Sequence, residues 1–371
     1  MAVAETRARL CLTMIVKDEA GIIERCLAAA APWIDAYAIH DTGSTDGTAE
    51  IVRSFFERYG VPGRVTHGRF DDFAQARNES LAAARDTAAA YGVDYLLLCD
   101  ADMELVVEDT AFRDSLTADA YLLDQRASGL HYANVRLVRV DAPARYEGVT
   151  HEYLDVGSTD RPTLGGVWFR DHAEGSSRQG KFERDLALLE RGLAAEPDNA
   201  RYVFYRAQTL RDLGRDRQAV GAYEHRASLG GWEEEVWYSL LQVAVLRDRL
   251  ADDDREVLAA YLTAFERRPG RAETLVELAR HLRERGRHEL AHVFATRAVQ
   301  LAPTDDILFV LPACYGWRAR DELSISSYWV GRYAESATLA QTVLADPELP
   351  PQERPRVEQN LAFARERTLL H

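Results

Sequence analysis

The first hundred residues alternate between short apolar runs and amphipathic stretches. "LCLTMIV" is an apolar, β-rich run and is followed by the helical pattern "AGIIERCLAAAA". "DAYAIHD" precedes the helical "TDGTAEIVRSFFERYG", and "GRVTH" precedes "FAQARNESLAAARDTAAAYG", which Gly92 closes. "DYLLLCD" is the next strand. Strand starts recur every ~26–30 residues, the cadence of βαβ units whose parallel sheet is covered on both faces. After Asp102 the rhythm changes. "AYLLDQ", "HYANVRLVRV" and "TLGGVWFRDH" read as strands with few helices between them. They predict a mixed or antiparallel portion that completes the sheet and ends near Gly175.

The second half is helical throughout. "KFERDLALLERGLAAEP" opens it, and two later stretches match one another. Ala207 aligns with Ala279, Gly214 with Gly286 and Ala219 with Ala291, 72 residues apart, or two units of about 36. Small residues fall where the two helices of a hairpin must touch, and a glycine falls in the turn. The unit between them has the right length and a poorer turn. A further unit, "DELSISSYWVGRYAESATLAQTVLADP", keeps the register loosely. The pattern predicts a right-handed array of tetratricopeptide-like helical hairpins, against the plainer alternative of a generic helical bundle. The predicted domains are residues 1–177, an α/β catalytic domain, and 178–371, an all-α repeat domain.

Composition narrows the function. The chain of 371 residues carries a net charge of −15, and the acidic excess lies mostly in the first half. That disfavours nucleic acid and anionic membranes as partners, since both demand a basic face. No apolar run has transmembrane length, and the start lacks a signal-peptide pattern, so a cytoplasmic protein without a membrane anchor is expected. Cys11, Cys26, Cys99 and Cys314 have no paired spacing and are expected to be reduced and mostly buried. Of the 45 basic residues only Lys17 and Lys181 are lysine. In a chain that writes nearly every cation as arginine, a lysine marks a place where a compact charge is useful.

In doubly wound sheets ligands sit beyond the carboxyl ends of the strands. The polar clusters fall there: Lys17-Asp18-Glu19, Asp41-Thr42-Gly43 and Asp100-Ala101-Asp102. "HDTGSTDGT" contains the Asp-Thr-Gly of aspartic proteases, but no second copy exists and the string lies between a strand and a helix. It reads better as a turn in which Thr45 or Asp46 caps the next helix. "LLLCDADMEL" places two carboxylates, one residue apart, at the end of a buried strand. That arrangement suits a divalent ion that keeps positions open for phosphate oxygens.

These strings, "LTMIVKDEAGIIERCL", "IHDTGSTDGTAEIV", "FAQARNESL" and "LLLCDADMEL", occur in the order of the nucleotide-diphospho-sugar transferases of glycosyltransferase family 2, which residues 10–175 resemble. The later strings "YEGVTHEYL" and "FRDHAEGSSRQGKFERDLALLE" resemble a subset with a helical-repeat C-terminus. In architecture the chain is similar to the bacterial sublancin-type peptide glycosyltransferases. The resemblance implies a GT-A fold, a nucleotide-sugar donor with UDP foremost, Mn²⁺ or Mg²⁺, and inversion at the anomeric carbon. It also implies residue roles. Glu19 and Asp41 hold the nucleoside, Arg77 contacts the donor side, Asp100 touches ribose or metal, and Asp102 is the main metal ligand.

Inverting transfer needs a carboxylate opposite the leaving diphosphate. Glu152 in "GVTHEYLD" is the expected catalytic base, with Glu147, Asp155 and Asp171 as rivals. His172 is the expected late metal or phosphate ligand, with His151 as alternate. The loop "EGSSRQGKFERD", with Arg178, Lys181 and Arg184, is expected to close over the donor diphosphate. The expected activity is transfer of a sugar to a hydroxyl or thiol on a peptide, small molecule or glycan. The repeats would serve acceptor binding or homodimerisation. The alternative is a repeat scaffold that binds nucleotide-sugar without turning it over.

Overall fold

The structure is a computed structural model and describes residues 7–127, 130–175 and 180–370. It divides into two compact units, Met1–Gly192 and Leu193–His371. The division falls inside a helix, Lys181–Ala195, and not ahead of it at residues 177/178 as the sequence suggests.

The N-terminal unit is built on an eight-stranded sheet. Its parallel half contains β1 (Leu10–Val16), β2 (Ala36–Asp41), β3 (Gly63–His67) and β4 (Tyr95–Leu98) in the order β3-β2-β1-β4. The connecting helices are α1 (Ile23–Ala30), α2 (Thr48–Tyr59) and α3 (Phe73–Tyr91). β1 and β2 are apolar nearly end to end because helices cover both sheet faces. Asp72 caps α3 by accepting the amide of Gln75 at 2.8 Å, and Gly92 ends it in the left-handed region at φ 62°.

Beyond β4 the order continues β7-β6-β10-β5, with β5 (Met103–Val107), β6 (Ala120–Ala127), β7 (Leu130–Arg139) and β10 (Thr163–Asp171). β7 runs antiparallel to β4, so the expected mixed extension is present. The short strands β8 (Arg145–Glu147) and β9 (Tyr153–Asp155) pair apart from the main sheet. β5, β8 and β9 are absent from the sequence expectation. They are short; β5 takes its register from β10, far along the chain, while β8 and β9 pair with one another across a short loop. All four cysteines are buried thiols.

The helix Lys181–Ala195 (α4) is followed in the second unit by α5 (Ala200–Asp212), α6 (Asp216–Ser228), α7 (Glu233–Arg249), α8 (Asp254–Arg267), α9 (Ala272–Glu284), α10 (His288–Val299), α11 (Trp317–Trp329), α12 (Tyr333–Ala345) and α13 (Arg354–Leu370). From α5 on, each helix packs on its successor. The 72-residue match carries through to the helices: α9 and α10 start at the positions equivalent to the starts of α5 and α6. Ala207, Ala219, Ala279 and Ala291 are all buried, and Gly214 and Gly286 turn at φ 70° and 71°. The poorer turn between α7 and α8 is made by Ala251 at φ 54°, a conformation glycine adopts at lower cost.

Arg271, in the turn before α9, organises this unit. Its buried guanidinium grips Glu273 (3.0 and 3.1 Å), Asp306 (3.0 Å) and the carbonyls of Leu308 (3.2 Å) and Phe309 (3.1 Å). It also lies 3.7 Å from the centre of the Trp237 ring. A lysine is a point charge and cannot reproduce the planar fork. Arg271→Lys should therefore lower stability by about 2–4 kcal/mol, read as a fall in the urea midpoint of the helical signal.

Candidate active site

The loops at the carboxyl ends of β1 and β2 are joined by reciprocal contacts. Asp18, held at φ 54°, accepts the amide (2.7 Å) and hydroxyl (3.2 Å) of Thr45, while the Ser44 hydroxyl accepts the Asp18 amide at 3.0 Å. The Thr48 hydroxyl accepts the Glu19 amide at 2.9 Å, and Asp46 accepts the Ala20 amide at 2.9 Å. The string "STDGT" thus fastens the second strand-end loop onto the first. Helix α2 begins one step later than expected. Gly47 at φ 88° is its N-cap without a side-chain bond, and Asp46 instead accepts the Thr48 amide and hydroxyl at 3.0 and 2.6 Å.

Beside these loops lies a cleft of about 650 Å³. Lys17, Asp18, Glu19 and Thr42 line one part, and Arg77, Asp100 and Asp102 its floor. Arg136, Tyr132 and Asp171 line the wall given by β7 and β10. Phe70, Phe73 and Arg184 complete it, with the Arg184 guanidinium 5.3 Å from the centre of the Phe73 ring.

The expected site residues separate into three groups. Glu19 and Asp102 converge. A Cβ built on Gly175 would meet Asp102 Oδ2 at 3.3 Å and Glu19 Oε1 at 3.6 Å, and the Gly175 amide donates to Asp102 at 3.2 Å. Asp100, Arg77 and Glu152 form a buried ion network. Arg77 donates to Asp100 Oδ1 (2.8 Å) and to Glu152 Oε1 (2.6 Å), and Arg136 lies 3.0 Å from Asp100 Oδ2. Burial alone would raise the Asp100 pKa, but Arg77 and then Arg136 overcome it and hold the carboxyl well below the usual range. Both Asp100 oxygens face guanidinium groups, which anchor the carboxylate between Arg77 and Arg136. Glu152 lies on Arg77 and is not part of the cleft lining.

The third group lies away from the cleft lining. Asp41 is buried and accepts the amides of Gly43 (3.0 Å) and Ser44 (2.8 Å), with His67 Nδ1 at 3.3 Å from its other oxygen. Its carboxylate shapes the turn. Asp41→Ala should cost about 1–3 kcal/mol because two amides lose their acceptor; thermal melting of the purified variant measures it. His172 Nε2 lies 2.9 Å from Glu104, and its amide bonds to the carbonyl of Asp102 at 3.1 Å. Glu104 thus holds one ring nitrogen of His172 in place. His151, the alternate, sits at φ 50° in the turn before Glu152. Lys181 is the exposed first residue of α4 and does not line the cleft, whereas Lys17 does. Of the expected diphosphate loop, residues 176–179, with Arg178 among them, lie outside the described residues.

Tyr132, Arg136, Phe70 and Phe73 were not legible as site residues. Tyr132 and Arg136 carry a weak signal, polar residues an even number of positions apart on a strand that must share one face.

Among the described residues no three His, Cys, Asp or Glu side chains form a ready metal cage. The donor chemistry at Gly175 still fits a hard divalent cation. Mg²⁺ and Mn²⁺ are commonly held by one or two carboxylates together with substrate phosphates and water.

The parallel half of the sheet gathers its polar loops at one strand end, where carboxylates line a cleft. Comparison with known proteins adds a match within the N-terminal unit: residues 11–109 match the model of Glycosyl transferase family 2. A TPR repeat-containing protein of Synechococcus elongatus is 28% identical over 327 residues, covering 82% of this chain and 78% of its own. Among solved structures, the chain is similar to MamA from Desulfovibrio magneticus (16% identity, TM-score 0.37, 46% of this chain and 85% of that one). It is also similar to a thermophilic TPR protein of Thermus thermophilus (18% identity, TM-score 0.36, 50% and 92%). Among the described residues no helix is long and apolar enough to cross a membrane.

Proposed function

We propose that the protein is a metal-dependent, inverting glycosyltransferase that moves a sugar from a nucleotide-sugar, UDP-linked first, to an acceptor hydroxyl or thiol on a peptide, small molecule or glycan. The observation that carries the proposal is the convergence of Glu19 and Asp102 at Gly175, on a cleft fed by the strand ends. Asp102 with Glu19 would hold Mn²⁺ or Mg²⁺, which when bound supplies positive charge to the leaving diphosphate. Lys17 and Arg184 on the lining add cationic donors for phosphate oxygens. Arg77 and Arg136 fix Asp100 so that the floor keeps its shape without reorganisation during the reaction.

The acceptor's proton goes to a carboxylate while its oxygen or sulfur attacks the anomeric carbon and the nucleoside diphosphate departs. Glu152 takes this part if Arg77 turns from it to the donor. Asp171 is the second candidate, favoured by its place on the cleft wall, where it accepts from the Tyr132 hydroxyl at 3.3 Å. Comparing Glu152→Gln with Asp171→Asn separates them, since the true base is worth 10²–10⁴-fold in rate at unchanged donor affinity.

A thermal-shift panel of UDP-, GDP- and dTDP-sugars with and without Mn²⁺ tests the whole reading. One donor should stabilise the protein in a metal-dependent way and be hydrolysed slowly. Metal-dependent binding with no turnover toward water or candidate acceptors would favour a nucleotide-sugar-binding scaffold. That alternative rests on the pairing of Glu152 with Arg77.

A further inference from the structure

In the helical unit one connection is much longer than the rest. Consecutive helices from α5 to α10 and from α11 to α12 are joined by three or four residues, whereas α10 and α11 are joined by residues 300–316. Part of this connection, residues 306–311, crosses the first helices of the hairpins as a non-helical strap, bent at Leu308 and Phe309, and polar side chains hold its main chain. The Ile307 and Leu308 amides both donate to Glu234 Oε2 of α7, at 2.9 and 2.7 Å. The Leu308 and Phe309 carbonyls accept from Arg271 at 3.2 and 3.1 Å, and the Leu311 amide donates to Glu273 of α9 at 2.9 Å.

Two side chains of the strap add specificity. The Asp306 carboxylate pairs with Arg268 and Arg271. The Phe309 ring stacks on Tyr238 of α7 at 4.1 Å and approaches Phe204 of α5 at 6.3 Å. Gripping main-chain amides and carbonyls with side chains, and adding one or two side-chain pockets, is how a surface holds an extended peptide.

Three features set the strap apart from a packed core element. Ile307, Phe309 and Leu311 remain 80%, 40% and 48% exposed, so burial of its largest side chains contributes little to holding it. Phe309 sits at φ 48°, a left-handed conformation that is costly for a bulky residue. The anchors Arg271 and Glu273 also pair with one another, so they keep a partner when the strap leaves.

We infer that the face formed by α5, α7 and α9 is a binding surface for an extended peptide with an acidic residue three positions before an aromatic one, and that residues 306–311 are its internal occupant, displaced when such a peptide binds. The inference does not rest on the transfer reaction. A tethered occupant acts at an effective concentration of about millimolar, so the strap weakens every competing peptide.

The test uses the full chain and a fluorescein-labelled peptide of sequence PTDDILFVLP, read by fluorescence polarisation. The doubly substituted chain Asp306→Asn/Phe309→Ala should bind it at least tenfold more tightly than the wild type, and a peptide carrying the same two changes should bind neither chain. Equal affinity for wild type and variant overturns the inference. So does a dimer of the variant formed by strap exchange, since the surface would then serve a second copy of this chain. Amide exchange in the wild type gives an arm that needs no variant. The Ile307, Leu308 and Leu311 amides should exchange at least 100-fold faster than the core amides of α7 and α9. Equal protection, or cooperative loss of the helices with the strap, would show an integral packing element and overturn it.

Discussion

Asp102→Asn should reduce turnover of the preferred nucleotide-sugar by about 10³-fold, equivalent to about 4 kcal/mol of transition-state stabilisation, and abolish the response to Mn²⁺. The substitution is isosteric. Asparagine can still accept the Gly175 amide that now bonds Asp102 at 3.2 Å, so the melting temperature without ligand should hardly move. What it removes is one of the two negative charges that meet at Gly175. Initial rates of donor hydrolysis at several Mn²⁺ concentrations, with calorimetry of Mn²⁺ binding in the presence of UDP, measure both effects. Asp100→Asn is the informative contrast. Asp100 lies between Arg77 and Arg136, so its loss should show first as lower stability, with Mn²⁺ affinity retained. If instead the two variants lose Mn²⁺ affinity alike, both carboxylates ligate the ion and the anchoring part assigned to Asp100 is wrong.

The parallel half of the sheet was legible because each of its elements announces itself locally. β1 and β3 occupy the runs "LCLTMIV" and "GRVTH", and Gly92 ends α3. The hairpin repeat was legible for a related reason. A small residue at each helix contact and a glycine at each turn are demanded by close packing and positive φ, and they recur wherever the geometry recurs. β5 was hidden because "MELVV" follows the Asp-Ala-Asp turn at once, and its antiparallel pairing with β10 is made by residues far along the chain. The site divided the same way. Asp102 and Glu19 were singled out from their places after strands, Glu19 for the nucleoside, and the fold brings their carboxylates together at Gly175, whereas the partners of the others were not legible. Nothing local in "QARN" or "THEYL" says that Arg77 will lie 2.6 Å from Glu152, or in "FRDH" that Glu104 will take the His172 ring nitrogen. A carboxylate's residue type and place predict that it can act. Its partners decide whether it does, and they come from the folded chain.

Arg77→Met should destabilise the N-terminal unit by about 3–5 kcal/mol. Arg77 is 17% exposed and holds two carboxylates that are themselves mostly out of water. Methionine fills much of the volume but leaves Glu152 and one oxygen of Asp100 buried without their cation, the costly way to break a buried pair. For a unit of this size the loss corresponds to a fall of about 10 °C in melting temperature. The pH dependence carries the mechanism. The folded-state pKa of Asp100 is depressed, because the arginines outweigh the effect of burial. In acid the unfolded chain therefore binds the proton first. The stabilisation from the pair is fully present above the unfolded carboxyl pKa near 4 and is lost as pH falls below it toward the folded value. Wild type should lose stability steeply below about pH 4. The variant, with only Arg136 left to depress the Asp100 pKa, should lose less over the same range. The gap between the two melting curves should accordingly be widest near neutrality and narrow on acidification. A gap that stays constant from pH 7 to pH 3 would mean that Arg77 contributes by packing against the Tyr146 ring, 5.4 Å away, and not through the charges of Asp100 and Glu152.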